Sequence, residues 1–303
     1  MIARILQCLL AAQLLFAWWV GFVLTTRFGW PSVLAVLVCL AIIPAGHAVA
    51  IGQHFLFSRW AGSPAPHDPA VPPVGMVSVY LRELRDSFIA FNLRQPFFGN
   101  RSLPSAPGAG SRNVLPVLFL HGYFCNRAVW RPLAQWLAAR GHVTGSVNLE
   151  PAFGSIDAYA PLIDAAVREL QQRTGFEQIA LVCHSMGGLA ARAYLRACGD
   201  DGIAKVITLG TPHRGTYLAW LGLGRNVRQM RLDSDWLQAL AQSESAGTRR
   251  HFTVIFSHDD NVVVPQAFQT LPDAEIIEFS GLGHLTLAMD QQVWEAVESR
   301  LVQ

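Results

Sequence analysis

Ser185 stands between an apolar run, Ile179 to Val182, and an alanine-rich helical stretch, with Cys183 two residues before it and Gly187 two after. A serine on a sharp strand-to-helix turn carries its hydroxyl out of the sheet, and the helix beginning beside it offers free N–H groups to negative charge. That turn is crowded, so small residues are needed on both sides. The hydroxyl is a poor nucleophile at neutral pH and needs a histidine base, itself held in one tautomer by a carboxylate. Both partners follow downstream. His258-Asp259-Asp260-Asn261 comes after the apolar run Phe252 to Ser257, and His284 ends the turn Ser280-Gly281-Leu282-Gly283-His284. The order Ser, Asp, His is the one a parallel sheet with a serine at such a turn delivers. The chemistry these residues can do is attack on a carbonyl carbon through an acyl-serine.

Two parts of the constellation are less sharply drawn. Asp259 and Asp260 are adjacent, so their side chains diverge and only one can meet the imidazole. The oxyanion formed by the attack needs two preorganised donors. One is expected to be the backbone N–H of Met186. The other comes from His121-Gly122-Tyr123-Phe124, where Gly122 allows a sharp turn and the Tyr123 N–H is the natural donor. His121 reads as a structural hydrogen bonder. Cys183 is a poor rival nucleophile because it should end its strand packed among helices, and His184 a poor rival base because it directly neighbours Ser185. No spaced carboxylates suit calcium and no cysteines have metal-ligand spacing, so neither metal nor cofactor is expected.

These residues need strands and helices to hold them. Val114 to Leu120, Val143 to Leu149, Ile179 to Cys183, Ile203 to Leu209, His251 to Ser257 and Glu275 to Ser280 read as strands. Between them lie helices over Arg127 to Arg140, from Ser155 as cap, over Met186 to Cys198, and around Val293, Val297 and Leu301. Strands alternating with helices imply an α/β class with a mostly parallel sheet covered on both faces. Residues 211–250 break the alternation with Trp220, Leu221, Leu223, Met230, Leu232, Trp236, Leu237 and Leu240. A cap or lid over the site explains that segment, as does a helical insertion packed on the core.

The amino-terminal part is of another kind. The chain has 303 residues, 51% hydrophobic and 15% charged, and the apolar excess is at the start. Ile5 to Leu24 is a run of 20 residues without a charge, and Pro31 to Ile51 is a second of similar length. Either alone fits a buried helix, and the first fits a signal peptide, although no small-x-small cleavage site ends it. In tandem they predict a transmembrane hairpin over residues 1–60, with Trp18, Trp19, Trp30 and Trp60 as interfacial candidates. Arg4 before it and Arg59, Arg82 and Arg85 after it outweigh Arg27 in its turn. The catalytic part is therefore expected in the cytoplasm, at an inner membrane. Residues 61–112 form a connecting region. Ala61 to Pro73 reads as a linker, Val74 to Arg94 as an amphipathic helix with Val77, Leu81, Leu84, Phe88 and Phe91 on one face, and Asn100 to Asn113 as a loop. The helix is expected to pack on the globular part rather than lie on a membrane. Five scattered cysteines, Cys8, Cys39, Cys125, Cys183 and Cys198, do not form a disulfide framework. A net charge of +2 without a basic patch excludes a nucleic-acid binder.

Taken together, His121-Gly122-Tyr123, His184-Ser185-Met186-Gly187-Gly188, Thr211-Pro212-His213-Arg214-Gly215-Thr216, Asp260-Asn261-Val262-Val263 and Gly281-Leu282-Gly283-His284 resemble a bacterial triacylglycerol lipase or esterase of the α/β-hydrolase superfamily. The resemblance covers roughly residues 114 to 303 and leaves the first 112 aside. It implies an α/β-hydrolase fold over residues 113–303, with a small cap near 211–250. It also implies Asp260 rather than Asp259 as the acid, because relatives place that acid before an Asn-containing, Val-rich turn. Cys183 departs from the commoner Gly, but it is small and suited to burial. The expected activity is hydrolysis of carboxylic esters, with acyl-lipid esters as substrate because an anchor concentrates the enzyme where lipids reside. The same acyl-serine could pass its acyl group to another acceptor, and a membrane scaffold that kept the fold is the non-catalytic alternative.

Overall fold

The computed structural model describes residues 1–63, 75–108 and 114–302. Most of the expected linker, and the 109–113 part of the expected loop, lie outside them. Two long helices open the chain, α1 (Ile2–Phe28) and α2 (Ser32–Ala61). Gly29, at φ 65°, ends the first in the left-handed conformation that closes a helix, and Pro31 leads into the second. They meet along small residues. Ala17, Gly21 and Ala35 are buried, and Cys39 Sγ donates to the Ala17 carbonyl at 2.9 Å. Their other faces stay open, with Leu14, Leu15, Phe16, Trp18, Trp19, Val33, Leu37 and Leu40 exposed. Only 11% of the most apolar window of each helix is buried, so neither is the core helix of a globular domain.

Next come α3 (Met76–Phe88), a π-helical turn at Ile89–Arg94 and the short α4 (Gln95–Phe98). The sheet domain follows as β1 (Val117–Leu120), α5 (Arg131–Ala138), β2 (Thr144–Val147), α6 (Ala160–Thr174), β3 (Ile179–His184), α7 (Met186–Cys198) and β4 (Ile203–Leu209). Three short helices fill the irregular interval, α8 (Arg225–Gln229), α9 (Asp235–Gln242) and α10 (Ala246–Arg249). Then β5 (Phe252–Ser257), β6 (Glu275–Phe279) and α11 (Gln291–Glu298) complete it.

The six strands pair in parallel in the order β2-β1-β3-β4-β5-β6. Strand alternation then sorts side chains into two layers. Leu118, Leu120, Leu181, Cys183, Val254 and Phe256 pack with α6 and α7 residues such as Ile163, Val167 and Leu189. Val117, Phe119, Val182, Ile207, Leu209 and Ile255 pack with Leu133 and Leu137 of α5 and with Val293 and Val297 of α11. Every residue of β3 is buried, so the strand that ends at Ser185 is fixed from both faces.

The structure departs from expectation in three places. Ser155 precedes a 3-10 turn, Ile156–Tyr159, without capping it by its side chain, because its hydroxyl accepts from Gln229 Nε2 at 3.0 Å and donates to Asp157 Oδ2 at 3.2 Å. Residues 211–250 do two things at once. Val227, Met230, Leu237 and Leu240 join the core, while Trp220, Leu221 and Leu223 face outward. On α3, Val77 and Leu81 of the expected packing face are exposed, and Val79, Glu83, Asp86 and Ser87 are buried instead. That inward polar face leads to the site.

Candidate active site

The carboxyl ends of parallel strands leave a crevice where loops converge, and the sequence's candidate residues meet there. Ser185 sits between β3 and α7 with φ 55° and ψ −125°, a strained conformation for a residue with a side chain. It persists because its surroundings over-determine it. The Ser185 N–H donates to the Leu209 carbonyl at 2.8 Å, and the Ser185 carbonyl accepts from Thr211 Oγ1 at 2.9 Å and from the Gly188 N–H at 3.1 Å. A methyl group on Gly122 would stand 2.9 Å from Ser185 Cβ, so only glycine lets the loop after β1 come this close. That approach brings the Tyr123 amide beside the elbow. Among the described residues, the amides of Tyr123 and Met186 make no hydrogen bond within the protein. Tyr123 is also tied to the interval after β4, where its hydroxyl donates to the Leu223 carbonyl at 2.9 Å.

His284 and Asp260 are joined at 2.8 Å through Nδ1 and Oδ2, and both are buried. Asp260 Oδ1 accepts the N–H groups of Val262 and Val263 at 2.8 and 2.9 Å, and the His284 N–H donates to Asn261 Oδ1 at 2.9 Å. The Asp-Asn-Val-Val turn is thus a cradle for both residues. Asp259 points elsewhere and accepts the Gly281 N–H at 2.6 Å. Gly210, at φ 61°, underlies the pair, where a Cβ would come within 3.2 Å of His284 Nδ1. Because Nδ1–H donates to the carboxylate, the neutral ring carries its proton on Nδ1 and keeps its Nε2 lone pair free. Burial lowers the imidazole pKa, but the Asp260 charge and hydrogen bond, with the charge of Glu83, outweigh it and hold His284 above its ordinary value.

The rival residues are occupied. His184 Nε2 donates to the His284 carbonyl at 3.0 Å, and burial pushes its pKa down to about 3, so it is a neutral brace. His121 accepts the Leu149 N–H on Nε2 at 2.9 Å and contacts the Gly122 carbonyl through Nδ1, and burial takes it down to about 4. Cys183 is fully buried in the core, with its thiol pKa raised well above the ordinary value.

Sequence reasoning missed the contribution of the amino-terminal region. Glu83 of α3 is buried against the turn that carries His284. Ser63, just past α2, donates its N–H to Gln266 Oε1 at 2.8 Å, and Gln266 Nε2 donates to the Asp260 carbonyl at 2.8 Å. Ile2 and Leu6 of α1 pack with Phe124 and Phe153 beside the Tyr123 loop. The available sign was the polar stripe Glu83, Asp86 and Ser87 at i, i+3 and i+4, which passes for a solvated face.

Part of the chain is similar to known proteins. The palmitoyl protein thioesterase family profile matches residues 116–246. The chain is 28% identical to the lysosomal thioesterase PPT2 of Mus musculus over 130 residues, 39% of this chain and 42% of that one. It is 42% identical to a triacylglycerol lipase of Pseudarthrobacter phenanthrenivorans over 113 residues, 34% of this chain and 35% of that one. The match therefore spans less than half the length of either curated relative. Among solved structures, the mature Bacillus licheniformis lipase BlEst2 superposes with a TM-score of 0.57 at 18% identity, over 64% of this chain and 94% of that one. The chain has the fold of an α/β hydrolase and, over part of its length, is similar to thioesterases and lipases.

Proposed function

We propose that this protein is a membrane-anchored serine hydrolase that cleaves acyl-lipid esters. The observation that carries this reading is the 2.8 Å contact of His284 with Asp260, set one residue from the Leu209 carbonyl that holds the strained Ser185. In this reading Ser185 Oγ attacks the acyl carbon while His284 Nε2 takes its proton. Asp260 keeps the ring oriented and stabilises the imidazolium. The Tyr123 and Met186 N–H groups receive the oxyanion. Collapse breaks the acyl–oxygen bond, and the leaving alcohol takes the proton from His284. Water then repeats the cycle on the acyl-serine and frees the fatty acid.

The substrate class rests on two features. One is the hairpin, whose apolar outer faces and small-residue seam suit a bilayer. The other is an apolar recess of about 530 Å³, lined by Phe57, Trp60 and Ala61 of α2 and by Tyr217, Leu218, Trp220 and Leu221. The recess lies between the end of α2 and the 217–221 turn, and its apolar lining suits an acyl chain. The arginine balance supports a cytoplasmic catalytic part.

The test uses the full chain in vesicles. Ser185→Ala is expected to lower hydrolysis of a bilayer-resident acyl ester by a factor on the order of 10³ or more and to end fluorophosphonate labelling. Undiminished turnover in that variant refutes the assignment. A second reading, an acyl thioester substrate, is favoured by the thioesterase profile match over residues 116–246. Oxygen and sulfur esters of one acyl chain, compared by kcat/KM, separate the two.

A further inference from the structure

We propose that Glu83, carried on α3 from outside the sheet domain, is a positioning residue for His284. Its carboxylate clamps the backbone of the 283–286 turn and sets a second negative charge beside the imidazole. The inference rests on His284 acting as the base for Ser185. Glu83 is only 2% exposed. Oε1 accepts the Leu285 N–H at 3.0 Å, and Oε2 accepts the Thr286 N–H at 2.9 Å and Thr286 Oγ1 at 2.8 Å. These amides belong to the two residues that directly follow His284, so the carboxylate fixes the course of the chain as it leaves the imidazole. Gly283 accommodates the same group, since a Cβ there would lie 2.5 Å from Glu83 Oε2.

The post that carries Glu83 is itself held. Ser87 Oγ meets His47 Nε2 at 2.9 Å, the Tyr80 hydroxyl donates to the Ala48 carbonyl at 2.9 Å, and Arg82 pairs with Asp290 at the start of α11. A buried carboxylate is costly unless its lone pairs are met by donors, and here both oxygens are met by N–H groups. Burial holds the Glu83 pKa above the ordinary carboxylate value, and the Leu285 and Thr286 hydrogen bonds and the His284 charge oppose that rise. The charged or titratable groups facing His284 are Asp260 from the turn after β5, Glu83 from α3, His184 at the end of β3 and His54 from α2. Two of these are acids. Removing the charge of Glu83 therefore makes imidazolium less favourable, and the neutral base persists to lower pH.

The test compares Glu83→Gln and Glu83→Asp in the full detergent-solubilised protein, using a short soluble acyl ester, pH–rate profiles and fluorophosphonate labelling. Glu83→Gln sets an amide N–H₂ against backbone donors and removes the charge. It is expected to lower kcat about tenfold through misplacement of the base, to leave KM within about twofold, and to move the acid limb of kcat/KM to lower pH. Glu83→Asp keeps the charge with a shorter reach, so kcat falls while the acid limb stays near that of the parent. Should Glu83→Gln fail to fold, the Asp variant still carries the test, and parental kcat in it overturns the clamp. An acid limb unmoved in a folded Glu83→Gln overturns the role of the charge. Absence of labelling at Ser185 in the parent protein defeats the reading beneath; normal labelling with unchanged Glu83 variants defeats the positioning role alone.

Discussion

If His284 is the base, as proposed, the His284–Asp260 pair makes activity and stability run in opposite directions with pH. In the proposed mechanism the active form is the neutral imidazole, and its pKa is raised, so kcat/KM is expected to climb with pH through a midpoint above the ordinary imidazole value. A histidine whose folded pKa is raised contributes stability that is fully present below its unfolded pKa and lost as pH rises through the folded one. The enzyme therefore works where this contribution has gone. Asp260→Asn should lower kcat by about 10³ to 10⁴ and shift the acid limb to lower pH, which a pH–rate series measures directly. An acid limb that stays in place means Asp260 does not set the charge state of His284. At this scale the placement of Ser185 and His284 at turns after strands was legible in the chain, because each depends on a strand, a turn and small neighbours within a few residues. The choice of Asp260 over Asp259 was not legible from local chemistry. It turns on which carboxylate the cradle of Val262 and Val263 N–H groups receives.

Among the elements, α7 reaches into the interval after β4 through Arg192, which is 1% exposed. Its guanidinium makes a two-pronged pair with Glu244 at 2.7 and 2.8 Å and donates to the His213 carbonyl at 2.9 Å. Arg192→Met strands the Glu244 carboxylate without a partner and is expected to cost about 3 to 5 kcal/mol in denaturant unfolding. Arg192→Met combined with Glu244→Leu should recover much of that loss, and a double variant no better than the single removes the pair from the account. Strand limits and α7 were readable because burial on both faces imposes continuous apolar runs. The inner face of α3 was not. Periodicity assigned Val77 and Leu81 inward on the assumption that water lies outside, whereas Val79, Glu83, Asp86 and Ser87 turn in. The donors that explain Glu83 lie 202 and 203 residues away, beyond any local pattern.

At the scale of the molecule, the amino-terminal helices pack against the candidate site. Ile2 and Leu6 touch the Tyr123 loop side, α3 holds the His284 turn, and Ser63 reaches Asp260 through Gln266. The last of these has a mechanical consequence. With the hairpin in a bilayer, as proposed, a thinner hydrocarbon layer is met by tilting of the helices. A stiff helix that tilts moves its end, and the end of α2 is separated from the acid's carbonyl by a single glutamine side chain. Lipid thickness thus becomes a variable of turnover. Across vesicles of graded acyl length, kcat on a water-soluble ester is expected to pass through a maximum, and Gln266→Ala is expected to flatten it. A rate indifferent to thickness would mean the lever is slack.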